Sequence, residues 1–355
     1  MVGWWKINIK YDKDKKRKKE MKKLFKKVMV GVVSVAMVAG FTAGCSSNGG
    51  SASDDGKVTV GVIQYATHPS LDNCYEGFKQ GLEAGGFKEG ENLTIEFQNA
   101  QGDVANADMA AKNMVSKKDN LIAGIATPAA MSAYAATKGG DIPVVFTAVS
   151  DPVSAKIVQS MEKPGDNCTG TADVLPLEAQ IKMIRSFLPD AKKIGILYTT
   201  SEPNSVSHLE KFKQIAPNYG FEVEAVGVTN ASEVAAGAQT LVSKGVNCIN
   251  NFTDNNVVDN LSTVLKAAND AKIPVFGSEE EQVKNGCLAS QSIDYVALGK
   301  QTGEMAAKIL KGEEKASDMA VQEVTESSPV YNKEVMETLG LTLPQDLSTA
   351  TAVSK

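Results

Sequence analysis

Tryptophan is nearly absent. The 355-residue chain holds two, Trp4 and Trp5, both at its front. From residue 6 onward there is no indole platform of the kind sugar sites favour. Histidine is as scarce: His68 and His208 stand far apart, and no cysteine clusters with either. A histidine-based metal centre therefore has no second ligand to start from. The sequence also lacks a phosphate-binding P-loop, a GxSxG elbow and a GxGxxG turn, which argues against an enzyme. His68, with no nucleophile spaced to pair with it, reads as a polar wall rather than a catalytic base. No cofactor is expected. Five cysteines are present without CxxC spacing. Cys74, Cys168, Cys248 and Cys287 read as small buried side chains rather than as disulfide partners. No apolar run is long enough to cross a bilayer either. The longest covers sixteen residues, Val28 to Ala43, below the ~20 a spanning helix needs.

That run is nonetheless informative. It follows Lys22, Lys23, Lys26 and Lys27 and ends in small residues before Cys45. Basic, apolar, then small is the order of a secretory signal. The ending Thr-Ala-Gly-Cys resembles a lipobox, after which Cys45 would be acylated. The Ser/Asn/Gly/Asp string behind it suits a flexible tether, and a diacylglyceryl group would hold the protein on the outer face of a membrane. Met21 opens this signal by itself, so residues 1–20 read as an extension outside it. The first 45 residues hold 12 of the 37 basic and 3 of the 42 acidic side chains, leaving the remaining 310 with a formal charge of −14. Such a surface disfavours nucleic acid and anionic lipid.

From Lys57 onward, strand-like and helix-like segments alternate, the pattern of parallel sheets with crossover helices. "KVTVGVIQY", "NLTIEFQN", "NLIAGIA" and "IPVVFTA" read as strands, with amphipathic helices between them. The order then begins again. "KKIGILYTT" matches the first strand, with Gly195 standing 134 residues after Gly61, and Phe221 stands 134 after Phe87. Ile273-Pro274-Val275 follows Ile142-Pro143-Val144 by 131. The fold class expected is α/β: two doubly wound, Rossmann-like lobes with a ligand cleft and hinge between them. The boundaries expected are 57–165 with about 291–327 for lobe one, 166–290 with about 328–345 for lobe two, and a tail at 346–355. Hinges are expected near Ser290–Asp294 and Ser327–Pro329.

In such sheets ligands bind beyond the carboxyl ends of the strands. In lobe one, Thr127 as N-cap with Pro128 at the first helical position would start a helix whose free N–H groups, with those of Ala129 and Ala130, favour a carboxylate. Thr127 capping the helix and doing nothing else is the competing reading. In lobe two, Asp254, following Thr253, would face an ammonium, or would serve only as a helix cap. Asn204 and Ser205 offer donors that would reverse this polarity. Further strand-end candidates are Gln64, Tyr65, His68, Pro69, Ser70, Thr147, Ala148, Ser150, Asp151, Ser201, Glu202, Ser278 and Glu279. Asp294 and Tyr295 lie where the chain recrosses. Tyr65, Tyr198 or Tyr295 would stack on an aromatic ligand.

The phrases "THPSLD", "FQNAQGD", "ATPAA", "FTAVSDPV", "LYTTSEPNS", "TDN", "IPVF" and "SIDYVALGKQTGEMAAKILKGE" occur in order at strand ends. They resemble the extracytoplasmic substrate-binding proteins of ABC transporters of the tryptophan/tyrosine type, over residues 57–341. The resemblance implies a type I periplasmic-binding-protein fold, no enzymatic activity, an aromatic amino acid as ligand, and an ABC permease and ATPase as partners. A sugar or aliphatic amino acid as ligand, and a membrane receptor as partner, remain the alternatives.

Overall fold

The structure is a computed structural model, and residues 57–354 apart from Thr325 are described. The signal, Cys45 and the tether expected above lie outside the described residues.

The first lobe is built on β1 (Val58–Gln64), β2 (Leu93–Asn99), β3 (Leu121–Ile125), β4 (Val144–Thr147) and β5 (Cys168–Ala172), with β11 (Gln322–Glu323) at one edge. Their order is β11-β5-β4-β3-β1-β2, and every pairing is parallel. The second lobe holds β6 (Lys193–Thr199), β7 (Glu222–Val228), β8 (Cys248–Asn250) and β9 (Val275–Phe276), ordered β7-β6-β8-β9. The order 2-1-3-4 of one lobe therefore recurs as 7-6-8-9 in the other, which is the repeat seen in the sequence. A third sheet, β10-β12-β13, is formed by Ala289–Ser292, Ser328–Asn332 and Thr351–Val353. It stays on the second lobe because Gly277 N–H donates to Ala289 O and Leu288 N–H to Val275 O. β3 and β4 are buried along their whole length, as strands covered by helices on both faces must be.

The first-lobe helices are α1 (Pro69–Ala84), α2 (Val104–Lys117) and α3 (Thr127–Thr137). Those of the second lobe are α4 (Leu177–Phe187), α5 (Pro203–Ile215), α6 (Ala231–Ser243), α7 (Asn255–Asp259), α8 (Leu261–Asp270) and α9 (Glu280–Lys284). α10 (Tyr295–Leu310) returns to the first lobe, and α11 (Lys333–Thr338) follows β12. Local signals set the starts. Asp103 caps α2 by accepting from Ala105 and Asn106 N–H, and Pro69 pre-sets the first turn of α1. Leu71, Cys74, Phe78 and Leu82 form the buried stripe of α1.

α1 and α10 meet along a seam of glycines. A Cβ added at Gly77 or Gly81 would strike the α10 backbone at Val296 or Lys300, and one at Gly299 or Gly303 would strike that of α1 at Cys74 or Phe78. Only glycine permits that approach.

The chain passes between lobes three times: from β5 to α4, from β10 to α10, and from β11 to β12. The last two run through residues 293–294 and 324–327. The first corrects the expected boundary at 165/166, because β5 pairs with β4 and keeps residues 168–172 in the first lobe. The expected tail at 346–355 is likewise corrected: residues 351–353 pair with β12. Cys74, Cys168, Cys248 and Cys287 are free thiols, all buried.

Candidate functional site

The carboxyl ends of the two sheets face one another across a narrow cavity. Its lining follows the strands in turn. His68, Ser70 and Leu71 come after β1, Ala126 after β3, Ala148 after β4 and Asp173 after β5. The other lobe supplies Asn204 after β6, Thr253, Asn255 and Val258 after β8, and Glu279 and Gln282 after β9; Tyr295 follows β10. A second inter-lobe cavity of about 710 Å³, open space included, lies beside it, lined among others by Tyr65, Gln101, Pro128, Thr199, Ser201, Glu202, Asn230 and Asn256.

The first cavity is distinguished by what its walls leave unpaired. His68 Nδ1, Ser70 Oγ, Asp173 Oδ1, Asn204 Oδ1 and Thr253 Oγ1 are all buried without a hydrogen-bond partner. Buried polar atoms are nearly always satisfied, so their convergence on one space marks it as the candidate site. The lining holds two carboxylates, Asp173 and Glu279, and neither lysine nor arginine. Burial pushes the Asp173 carboxyl up to about 6 and the Glu279 carboxyl up to about 7. Burial also lowers His68 to about 4, so its imidazole is neutral. Such a wall favours a cation in the space it encloses.

The two carboxylates are held differently. Glu279 caps α9, accepting from Gln282 N–H on Oε1 at 3.0 Å and from Glu281 N–H on Oε2 at 2.7 Å. Asp173 accepts from Tyr295 OH on Oδ2 at 2.9 Å, with the Ser150 hydroxyl close enough to offset part of the effect of burial, while Oδ1 has no partner. The bond from Tyr295 joins two of the three inter-lobe crossings.

The structure gathers part of the expected residue set. His68, Ser70, Ala148, Asn204, Thr253, Glu279 and Tyr295 line the first cavity, and Tyr65, Pro128, Ser201 and Glu202 line the second. Several expectations are corrected. Asp254 lines neither cavity. It is fully buried as the N-cap of α7, accepting from Thr199 Oγ1 and Val257 N–H on Oδ1 and from Thr199 N–H and Ser205 Oγ on Oδ2. Ser205 is committed by the same bond. Thr127 is not the cap of α3: that place belongs to Ala126, with φ 77°, and Thr127 begins the helix, buried, lining neither cavity. Ala129 is fully buried behind it. Gln64 spends its amide on Ala66 O and Asp72. Thr147 lies inside the first lobe, bonded to Thr171 and Cys74. Tyr198 lies over Gly227 of β7, away from both cavities. Ser278 donates to Asn251 O, Asp294 caps α10, and Pro69 is exposed at the start of α1.

Asp151 belongs to a different contact. It lies in the loop after β4 and accepts from Ser207 Oγ at 2.7 Å and Lys211 Nζ at 2.8 Å, both on α5 of the other lobe. Burial would raise its carboxyl, but Lys211, Ser154 N–H and Ser207 outweigh that and hold it near 2. This ion pair joins the two lobes beside the cavity. Asp173, Leu71, Ala126, Asn255, Val258 and Gln282 are lining residues that the sequence reading missed.

Comparison with known proteins gives a consistent result. A family model described as ABC transporter substrate binding protein matches residues 59–354. A tyrosine-binding protein of Clostridioides difficile (strain R20291) is 39% identical over 328 residues, covering 90% of this chain and 93% of that one. The solved ABC domain from Streptococcus pneumonia in complex with L-Trp is 35% identical, with a TM-score of 0.81, and covers 84% of this chain and 100% of its own. The ligand-free, open structure of a substrate-binding protein with adhesive properties from Clostridium difficile is 41% identical, covers 84% and 99%, and scores 0.65. The fold is that of type I periplasmic binding proteins.

Proposed function

The chain belongs to the family of ABC transporter substrate-binding proteins, an extracytoplasmic solute-binding family, and from that premise we propose that its solute is an aromatic amino acid. The observation that carries this is the enclosed cavity, walled by the strand ends of both lobes and ringed by buried polar atoms without partners. A zwitterion supplies both charges such a wall needs. Its ammonium suits the carboxylate side. Its carboxylate suits the hydroxyls of Ser70 and Thr253. The Tyr295 ring stands in the lining for the aromatic group to pack against. The names of the relatives, tyrosine-binding and L-Trp-bound, point the same way.

Closure on the solute creates the surface a permease would read, a shift between open and closed populations. The protein performs no chemistry on its solute in this reading, and it is tethered to the membrane by lipid on Cys45. Among the described residues no helix is long and apolar enough to span a bilayer. The test is a thermal-shift series with L-tryptophan, L-tyrosine, L-phenylalanine, L-leucine and ribose. A true solute at 100 times its dissociation constant adds about 2.7 kcal/mol. Stabilisation by ribose or leucine, with none by the three aromatic amino acids, would overturn the assignment.

A further inference from the structure

We propose that Asp173 receives the ammonium group of the solute and thereby makes a primary amine the cavity's chief requirement. This rests on the amino-acid reading above and goes beyond it by naming the residue that selects. Four carboxylates lie buried around the cleft: Asp173, Glu202, Asp254 and Glu279, all 3% exposed or less. They differ in what the protein itself gives them. Asp254 accepts four hydrogen bonds. Glu202 accepts from the Asn204 and Asn255 side-chain amides and from the backbone N–H groups of Asn255 and Asn256. Glu279 is engaged through both oxygens by the first turn of α9. Asp173 alone keeps one oxygen bare, and that oxygen belongs to a lining residue of the ligand cavity.

Its other oxygen is fixed by Tyr295 OH, so the bare one has a set direction. A buried carboxylate with no cation in reach is costly to hold, and no lysine or arginine lines the cavity. A ligand ammonium supplies the missing charge and donor together. Burial has raised the Asp173 carboxyl to about 6, which leaves it ionised at neutral pH and ready for that partner. The place in the fold also fits. Asp173 begins the first inter-lobe crossing and Tyr295 ends the second, so an ammonium here binds where the closing motion turns.

The experiment compares L-tryptophan with its deaminated analogue 3-(indol-3-yl)propionate by calorimetry, on the natural protein and on Asp173→Asn and Tyr295→Phe. The natural protein should prefer the amino acid by ~tenfold to 100-fold, the range of one charge-assisted bond. Asp173→Asn should lose that preference, weakening L-tryptophan at least tenfold while the deaminated acid binds as before. Tyr295→Phe, which frees the carboxylate to rotate, should lose part of the preference. Thermal unfolding without ligand checks that each variant folds. Equal loss of both ligands in Asp173→Asn, or unchanged L-tryptophan binding, would overturn the assignment. If the natural protein binds an aliphatic amino acid in place of aromatic ones, the aromatic reading fails. The same comparison with that amino acid and its deaminated form then decides Asp173. Binding of amine-free solutes alone would overturn both.

Discussion

Asp254 and Asp173 are the same residue type, both buried, each a few residues beyond a strand end, one in each lobe. Their hydrogen bonds set them apart. Asp254 gathers Thr199 and Ser205 from the neighbouring β6–α5 turn and Val257 from its own helix. It fastens two helix starts of the second lobe to each other. Asp173 is held at one oxygen and open at the other. A buried acid in a cleft is thus no evidence of ligand contact by itself; the number of donors already spent on it decides.

The comparison can be broken most directly at Asp254. Asp254→Ala leaves two backbone N–H groups and two hydroxyls without an acceptor. Chemical denaturation should show a loss of about 3 kcal/mol or more. Asp173→Asn should cost under about 1 kcal/mol in the same assay, because the amide keeps an oxygen to accept from Tyr295. A stable Asp254→Ala protein with ruined affinity would reverse the two roles.

A subtler test uses pH. Glu279 carries a folded-state value of about 7, against an ordinary 4.5. Its contribution to stability is fully present below about pH 4.5 and is lost as pH rises through 7. Glu202 is also raised, by burial first and then by Asp254, and acts in the same direction. His68 and His208 are held low by burial. Their contributions are complete above about pH 6.5 and fade only below it. Between pH 6.5 and 8, therefore, the ligand-free protein should grow less stable. Glu279→Gln should flatten that slope, as followed by thermal midpoints across the range. An unchanged slope would show that Glu279 is charged in the fold at little cost.

The smallest effect belongs to the rim. Lys211 is half exposed where it meets Asp151, and exposed pairs contribute about 1 kcal/mol at most. Lys211→Met should weaken solute binding by no more than ~fivefold and should reduce its dependence on salt. A larger loss would mean that the rim, rather than the interior, holds the lobes together.

Much of the architecture was legible because a βα repeat writes itself into sequence. Gly61 and Gly195, and Phe87 and Phe221, hold matching places in strands and turns that the two lobes share. β5 was not legible, for a physical reason. Its residues, Cys-Thr-Gly-Thr-Ala, lack the branched apolar run of the other strands. It is buried all the same because its hydroxyls are satisfied internally, Thr169 by Met319 O and Thr171 by Thr302 and Thr147. Missing that strand misplaced the first inter-lobe boundary and hid Asp173 behind it. Asp254 was visible, but its partners Thr199 and Ser205 lie 55 and 49 residues away in sequence, so no local pattern could show that they spend its oxygens. The lipobox reading at Cys45 stands as a proposal, to be settled by mass spectrometry of the membrane-extracted protein.

The glycine seam has a mechanical implication. With backbone resting on backbone, α1 and α10 have no cushion of side chains through which to slip. They form one stiff strut. One end begins at Tyr295, where the chain has just left the other lobe; the start of α1 carries Ser70 at the cavity wall. Ser70 and Tyr295, which line the same cavity from the starts of these two helices, are therefore carried by a single rigid pair.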